Sequence, residues 1–489
     1  MNLRFRLPAA IGLAALFAAL GWGVPSARAN EAASLGDVAP RTVYLTVEDA
    51  WRLAETHHPK VRAAQRELEA RERELAQRQA SFSPTLTLRV IGPGLRLETG
   101  EEQAVSVSPS VGVNGGWKLP AGASVNANVS ARPGTGASGS QEVSGTVTLS
   151  VPLRRTAALD PDALAVRQAE GAVEAARRRL VLAQQEARAE VLAALQALEA
   201  AAARLRLAEE ALAAAQTARR VVDERLAAGA ANRAEELEAD LELLRAEQEL
   251  AVARRSFEAR RGQLLKLLGL SSVDGVEYEF ESVWTWTGMP AVAWDGDMVA
   301  RAIEYSVAVF ESRQAVDNAR LELASQRERS GWEASINAGY ATQGQQDAQP
   351  GWSVTLQFSY PLADGGQRRL ALEGREAAFA AAQEALATAV AQVQEEMEEL
   401  MFQLEDARRQ VEMAALERQR AELEWTVAQR RMELPVPAAT PEAVASAWRT
   451  LQRADIAWRE AVWAYQSQWI NLQIRLGGVD WDALKAGGE

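Results

Sequence analysis

The sequence contains no cysteine and only two histidines, the neighbours His57 and His58. Without cysteine the chain cannot form a disulfide, use thiol chemistry or carry a lipid on an N-terminal cysteine. The two histidines precede Pro59, which indicates a solvated helix end rather than a metal site. No Ser-His-Asp arrangement can be argued, and no Gly-x-x-x-x-Gly-Lys-Ser/Thr phosphate loop occurs. The sequence therefore predicts no enzyme activity, no catalytic residue, no metal site and no cofactor.

The chain also lacks an excess of positive charge. Its formal net charge is −13, which argues against nucleic-acid binding because nucleic acids need a basic surface. The positive start at Arg4 and Arg6, the apolar run Leu7–Trp22 and the small-residue site Ala27–Ala29 predict a signal peptide over residues 1–29. The alternative is an N-terminal membrane anchor, but the apolar run is short for a span of ~20 residues.

Proline is absent between Pro161 and Pro290. Asp160 followed by Pro161 predicts a helix start, with the aspartate as N-cap. Helical sequence then continues to about Ala228, and a second stretch of equal length runs from about Gly366 to Glu433. At 1.5 Å per residue each helix would be ~100 Å long. A compact globular core does not contain such rods, so a coiled coil or a bundle of parallel rods is expected.

The same types of segment occur twice in the same order. Each half has a helical stretch (46–80 and 300–329), strand-like sequence that ends in Pro-Leu at Pro152 or Pro361, a long helix, a break, a second helix and a closing Leu-Gly. The pattern predicts a first repeat over 30–270, a linker or equatorial segment over 271–295, a second repeat over 296–478 and a C-terminal tail over 479–489.

Large residues recur at intervals of seven in the helical stretches, and each is followed three positions later by alanine. The two series begin at Val191 and Val444, with Ala194 and Ala447 as the first alanines. This heptad pattern is typical of closely packed helix pairs. Short breaks at 227–232 and 434–441 predict two antiparallel helical hairpins whose turns lie at the same end of the rods.

Six segments alternate between apolar and small polar residues: 85–90, 105–119, 123–130, 142–151, 335–340 and 352–360. Alternation over ~10 residues fits transmembrane strands with lipid on one face and a lumen on the other. It also fits a soluble sheet packed on a core. Uncharged polar faces favour the barrel, as do the aromatic residues near strand ends, which belong at membrane interfaces. These aromatic residues are Trp117, Trp332, Tyr340, Trp352 and Tyr360.

Six strands are too few to close a barrel around a pore, and a barrel must close because lipid cannot satisfy a free strand edge. Several chains would then share one barrel. Duplicated halves and shared closure together predict a cyclic homo-oligomer.

These features together resemble the TolC-like outer-membrane efflux family over nearly the whole mature chain. The most specific local feature is the segment 360–369, Tyr-Pro-Leu-Ala-Asp-Gly-Gly-Gln-Arg-Arg, which is similar to the family's strand-to-helix junction at Pro361, Asp364, Gly365 and Gly366. The segments 45–50 and 58–61 resemble the family's start, although Asn-Pro is usual where His58-Pro59 stands. Gly229 and the acidic helix start at Glu235 resemble the family's first inter-helix turn.

The resemblance implies a mainly α fold with a β-barrel portion, in which three copies form an outer-membrane barrel and an α-helical tunnel in the periplasm. It implies a passive exit duct for tripartite efflux or type I secretion, coupled to an inner-membrane pump through a periplasmic adaptor. By the same resemblance, Glu442, Glu235 and Glu236 are candidates for the pore constriction, or are helix-start carboxylates that favour the helix dipole. The implied adaptor-contact turns are Gly229, Ala230, Asn232, Val436, Pro437 and Ala438.

The sequence departs from the family pattern in three places. The first half carries four strands where two are usual, so a trimer would have either twelve strands or eighteen. The first junction, at Pro152, lacks Asp-Gly-Gly, and the second turn is rich in proline. The alternative function is a periplasmic coiled-coil structural or adaptor protein without a pore.

Overall fold

A computed structural model describes residues 41–91, 110–119, 122–132, 142–153, 160–270, 276–292, 295–343, 351–360, 362–433 and 440–485. Among these described residues, the first half has four α-helices: α1 (Val47–His57), α2 (Pro59–Ala80), α3 (Pro161–Ala227) and α4 (Arg233–Leu267). The described part of the second half has four more: α5 (Gly296–Tyr305), α6 (Val307–Arg329), α7 (Gln367–Met432) and α8 (Pro441–Arg475).

The two long helices have the lengths that the sequence predicted. Helix α3 has 67 residues and α7 has 66. Asp160 caps α3 as expected, since its side chain accepts a hydrogen bond from the amide of Ala163 at 3.4 Å. Regular α geometry makes each helix ~100 Å long, so the described fold is organised around two rods.

The single helical stretch predicted over residues 46–80 is wrong, because the chain breaks between α1 and α2 at His58. That residue has an extended backbone (ψ 133°), as the residue before a proline prefers. The second half breaks at the equivalent place, Ser306, without a proline. Each break separates a short helix near the middle of the molecule from one that leads to the sheet.

Each long helix is accompanied by two shorter helices placed end to end. Helix α3 packs against α2 and α4, and α7 packs against α6 and α8. Gly269, just after α4, lies against His57, where α1 gives way to α2. Gly477, just after α8, lies against the ring of Tyr305 at the α5–α6 break. The duplication seen in the sequence is therefore present in three dimensions, down to matching glycine contacts.

The strands in the described part of the chain form two sheets. A small parallel pair, which the sequence did not reveal, joins β1 (Arg41–Leu45) to β6 (Val276–Phe280), as numbered in chain order. The members of the large sheet are β2 (Thr85–Ile91), β3 (Ser110–Lys118), β4 (Ser124–Arg132), β5 (Glu142–Pro152), β7 (Glu333–Gln343) and β8 (Gly351–Ser359). This sheet is antiparallel, and its strand order is β2-β3-β4-β5-β7-β8.

The apolar core lies midway along the rods, beside the small sheet, rather than under the large one. Trp51 of α1 packs against Trp286 and Trp481, with ring centroids 6.4 and 4.9 Å away. Helices α3, α7 and α8 contribute Leu192, Met397 and Leu472, each almost fully buried. The core joins the two halves and leaves the large sheet without a packed layer on it.

Candidate functional site

One face of the large sheet is apolar across all six strands. The register places Leu86, Gly115, Ala127, Val147, Tyr340 and Trp352 in one row, one residue from each strand. Neighbouring rows on this face carry mainly valine, leucine and alanine. Many of the large side chains on this face are open to solvent: Leu86 and Trp352 are each 80 % exposed, and Val354 is 75 % exposed. A soluble sheet would bury such a face against a core, and no described element covers it.

The opposite face is polar but carries little charge. It presents serine, threonine, asparagine, glutamine and glycine from every strand, and side-chain pairs such as Ser130–Ser144 hydrogen bond across it at 2.7 Å. Lys118 is one of its few charges, and it pairs with Asp162 at the start of α3 at 2.7 Å. Such a face suits contact with water in a lumen.

The aromatic residues predicted for the membrane interfaces occupy two levels of the sheet. Trp332 and Tyr360 flank the strand ends next to the helices, and Trp117 lies at the same end of β3. Tyr340 and Trp352 pack together near the far end, with ring centroids 4.8 Å apart. The levels are eight residues apart along β7 and β8, or ~26 Å along the strands at the usual strand rise, which corresponds to ~20 Å of height if the strands are tilted by ~40°. An apolar band ~25 Å tall between aromatic girdles is typical of membrane barrels.

The predicted strand-to-helix junction before α7 is a glycine turn. Gly365 and Gly366 have φ of 63° and 85°, a left-handed backbone that side chains disfavour. Asp364 supplies the missing helix cap by accepting hydrogen bonds from the amides of Gly366 and Arg368 at 3.0 and 3.1 Å. These hydrogen bonds hold the pKa of Asp364 below its usual value.

Arg368 then fixes this junction to the start of β7. Its guanidinium donates to the carbonyl of Ser330 at 2.9 Å. In the first half Pro152 ends β5 and pairs with Ser335 across the ladder. The sequence-predicted Pro361 lies outside the described residues.

The turn between α3 and α4 is a tight glycine turn, as predicted. Gly229 has φ of 70°, and the amide of Ala230 donates to the carbonyl of Arg225 at 2.7 Å. Asn232 caps α4 by accepting from the amides of Ala234 and Glu235 at 2.9 and 3.0 Å. Val436, Pro437 and Ala438 of the second turn lie outside the described residues.

The three tip carboxylates have different surroundings. Glu235 lies 3.3 Å from Arg225, and Glu236 lies 2.6 Å from Arg233, so arginines of the same hairpin neutralise both. Glu442, in the first turn of α8, is exposed and has no ion pair within the described part of the chain. Of the three, Glu442 alone presents an uncompensated negative charge.

His58 is buried, so the expectation of a solvated helix end is wrong for this residue. The residue is 1 % exposed, and its Nδ1 accepts a hydrogen bond from the amide of Lys60 at 3.3 Å as the N-cap of α2. The other ring nitrogen lies 3.5 Å from a carboxylate oxygen of Glu190 in α3. Burial lowers the pKa of His58, although Glu190 opposes this effect. His57 is exposed.

The segment 283–290, which the sequence suggested only as a linker, is held by side chains from both halves. Gln466 of α8 donates to the carbonyls of Trp286 and Gly288 at 3.1 and 2.9 Å, and Gln196 of α3 donates to Gln466 at 2.9 Å. Glu199 accepts from the amide of Val283 at 2.8 Å, and burial raises its pKa. Only the three-dimensional contacts reveal these residues, because they are ordinary glutamines and glutamates in the sequence.

The described residues include no group of three or more His, Asp or Glu side chains placed to hold a metal ion. None of the helices in the described part of the chain combines the length and the hydropathy that a membrane-crossing helix requires.

Residues 51–270 match a family model described as outer membrane efflux protein. No curated protein matches the chain. Among the solved structures that share the fold is a membrane protein from Pseudomonas aeruginosa, with a TM-score of 0.61 and 17 % identity over 88 % of this chain and 90 % of that one. CusC, whose structures concern transmembrane channel formation, has a TM-score of 0.62 and 15 % identity over 88 % of this chain and 92 % of that one. The outer membrane protein VceC from Vibrio cholerae has a TM-score of 0.59 and 16 % identity over 91 % of this chain and 97 % of that one.

Identities this low establish the fold and nothing further. The matched family is one of efflux proteins rather than of enzymes. The resemblance indicated by the sequence is therefore confirmed: the chain is similar to the TolC-like outer membrane efflux proteins, in sequence over residues 51–270 and in fold over its described part.

Proposed function

We propose that this chain is one subunit of a homotrimeric outer-membrane channel, the passive exit duct of an efflux or secretion system. The observation that carries the proposal is the open six-stranded sheet with its exposed apolar face. The strands of this sheet lead directly into the paired long helices. Lipid would cover the apolar face, the polar face would line water, and the rods would extend the duct through the periplasm. An inner-membrane pump, reached through a periplasmic adaptor, would supply the energy.

Closure of the barrel requires neighbouring copies. Strands β2 and β8 are the two edges of the sheet, and their outer hydrogen-bonding groups have no partner strand among the described residues. Lipid cannot satisfy those groups, so edges in a membrane must be paired. Because the sheet has six strands that alternate in direction, β8 of one copy runs antiparallel to β2 of the next, and a ring closes without a mismatch.

We assign gating to the hairpin tips, with Glu442 as the residue that sets ion preference. Its side chain is exposed and has no ion pair with any residue that the structure describes, whereas Glu235 and Glu236 are neutralised by arginines. A ring of three such carboxylates would attract cations into a narrow opening. The turn residues Gly229, Ala230 and Asn232, with Val436, Pro437 and Ala438 of the second turn, are the proposed adaptor contacts.

Planar-bilayer recording tests the channel and its gate together. The purified protein is expected to conduct, and Glu442→Ala should reduce the preference for cations because it removes the uncompensated charge. Glu417→Ala is the control, since it removes another exposed glutamate, which lies within α7 and away from the hairpin turn. If the protein is extracted into buffer without detergent and shows no conductance in the bilayer, the proposal is wrong. The alternative function, a periplasmic coiled-coil protein without a pore, is then favoured.

A further inference from the structure

We infer that all six strands of each chain enter the barrel, which then has eighteen strands and matches the helical tunnel in width. The inference rests on the proposed function, a ring of three copies. It assigns the membrane portion as a wide, weakly selective segment that passes any hydrophilic solute the tunnel can deliver. Selection by size would then lie at the hairpin tips and not in the membrane.

The first support is the place of the β3–β4 hairpin within the sheet. All seven residues of β2 pair with β3, from Thr85 opposite Gly116 to Ile91 opposite Ser110. On the other side, β4 pairs with β5 from Ser124 opposite Ser150 to Arg132 opposite Glu142. A hairpin that projected as a surface loop would leave β2 to pair with β5. Here it separates those two strands completely.

The second support is that the hairpin has the same two faces as the rest of the sheet. Its pairs Val113–Val129 and Trp117–Val125 lie on the apolar side, in continuity with Val147 of β5. Asn114 and Asn128 form a pair on the polar side. A water-exposed hairpin has no reason to keep one apolar face, whereas a strand pair between lipid and lumen requires it.

The third support concerns the partner of the two edges. Soluble sheets protect their edges with charges, prolines or bulges. Strand β8 (Gly351–Ser359) contains no charged residue and no proline, and β2 contains a single charge, Arg89. Both edge strands carry exposed apolar side chains, such as Leu88 in β2 and Leu356 in β8. These unprotected edges fit a second copy of this chain, β8 to β2, rather than water.

The fourth support is geometric. Strands ~4.8 Å apart and tilted by ~40° each occupy ~6.3 Å of circumference, so eighteen span ~110 Å. Each chain supplies four rods, namely α3, α7 and the end-to-end pairs α4–α2 and α8–α6. Twelve rods packed ~8–10 Å apart span ~96–120 Å, a range that includes the circumference of eighteen strands. An eighteen-stranded barrel therefore continues the tunnel at a diameter of ~36 Å, whereas twelve strands would narrow it to ~24 Å.

The polar face keeps this width open. Most of its residues are short, and they include Gly112, Gly116 and Gly339, which pair across the sheet with Ser130, Thr85 and Ser353. Barrels of sixteen to eighteen strands leave an aqueous channel when no plug fills them.

Cross-linking of paired cysteines tests the strand order directly, because the chain has no cysteine of its own. With a short bis-maleimide, Leu88→Cys with Val113→Cys and Ala127→Cys with Val147→Cys should cross-link within one chain, as the register predicts. Scanning cysteines at Leu86, Leu88 and Val90 against cysteines at Val354, Leu356 and Phe358 should yield covalent dimers and trimers. Efficient cross-linking of Leu88→Cys to Val147→Cys within a chain would overturn the inference, as would a trimer that shows no β2–β8 product.

Barrel width gives an independent readout. Single-particle images of the detergent-solubilised ring should show a barrel ~36 Å across, and deletion of residues 110–132 should reduce it to ~24 Å, because four strands per chain remain. If the full-length protein forms a ring whose barrel is ~24 Å in diameter, the inference of eighteen strands is wrong, while the proposed channel function still stands. Absence of any ring defeats the proposed function itself. If the deletion variant does not fold, the cross-linking of the full-length chain still decides.

Discussion

The two halves of the chain agree closely in their rods and differ in their sheets. Helices α3 and α7 have 67 and 66 residues, α4 and α8 have 35 each, and α2 and α6 have 22 and 23. The large sheet takes four strands from the first half and two from the second. Rods that lie side by side must match in length if their tips are to coincide. A sheet accepts an added hairpin because two antiparallel strands leave the direction of the next strand unchanged.

Gln466 joins the two halves through its hydrogen bonds, and its substitution should lower stability more than the other substitutions considered below. Gln466→Ala removes three buried hydrogen bonds, to Gln196 and to the carbonyls of Trp286 and Gly288. Buried groups left without partners should cost about 3 kcal/mol or more. Thermal unfolding in detergent measures the loss. The exposed Gln410→Ala serves as control and should change stability by under about 0.5 kcal/mol; equal melting temperatures for the two variants would contradict the prediction.

The paired glycines at the ends of α4 and α8 test whether the two halves are equivalent at their middle joints. Gly269 and Gly477 have φ of 69° and 96°, and an added Cβ would lie 2.7 Å from His57 and 2.6 Å from the Tyr305 ring. Each Gly→Ala change should cost about 2–3 kcal/mol, from backbone strain and from overpacking.

The matched control is Gly262→Ala, inside α4, where an added Cβ meets nothing. That substitution should stabilise the helix by about 0.5–1 kcal/mol. Chemical denaturation of all three variants would measure the costs. Destabilisation by Gly262→Ala, or tolerance of either joint substitution, would show that these glycines are not held as described.

A smaller, pH-dependent difference separates the caps at the two breaks. His58 caps α2 in the first half, and Ser306, which does not titrate, caps α6 in the second. The native state resists protonation of His58, while the unfolded chain binds a proton near pH ~6.5. Stability should therefore fall as the pH drops below ~6.5, by at most ~1.4 kcal/mol per unit.

His58→Ser makes the two caps alike and should remove this part of the pH dependence. Melting temperatures of both proteins, followed from about pH 7.5 to about pH 5.5 across the histidine range, provide the comparison. Parallel curves would mean that His58 titrates normally.

The long helices and the six alternating strands could be predicted from sequence because their signals are local. Asp160-Pro161 and Gly229 define the ends of α3, and alternation between Trp352 and Tyr360 defines β8. The β1–β6 pair was missed because each strand has five residues and the partners are more than two hundred residues apart. The break at Ser306 was missed because serine there resembles any surface position of a helix.

The site was predictable in type and less so in detail. The sequence placed Gly229 in the turn after α3 and Gly366 at the junction before α7, and both have the left-handed backbone that favours glycine. The pairing of Glu235 with Arg225 depends on how two helices face each other, which the sequence does not state. Burial of His58 was missed for the same reason, because Glu190 and the rest of its surroundings come from another helix.

The end-to-end meeting of α4 with α2, and of α8 with α6, has a mechanical consequence. Among the described residues, no backbone hydrogen bond joins α4 to α2 or α8 to α6, whereas α3 and α7 run past these joints unbroken. A force applied at the tips would therefore bend each subunit at these joints. The continuous helices α3 and α7 would bend elastically, while the helices that meet end to end would separate slightly. The parts of the α3–α4 and α7–α8 hairpins between the joints and the tips would then tilt outward without twisting the sheet. The elastic energy stored in the bent α3 and α7 would bring the tips back to their original position.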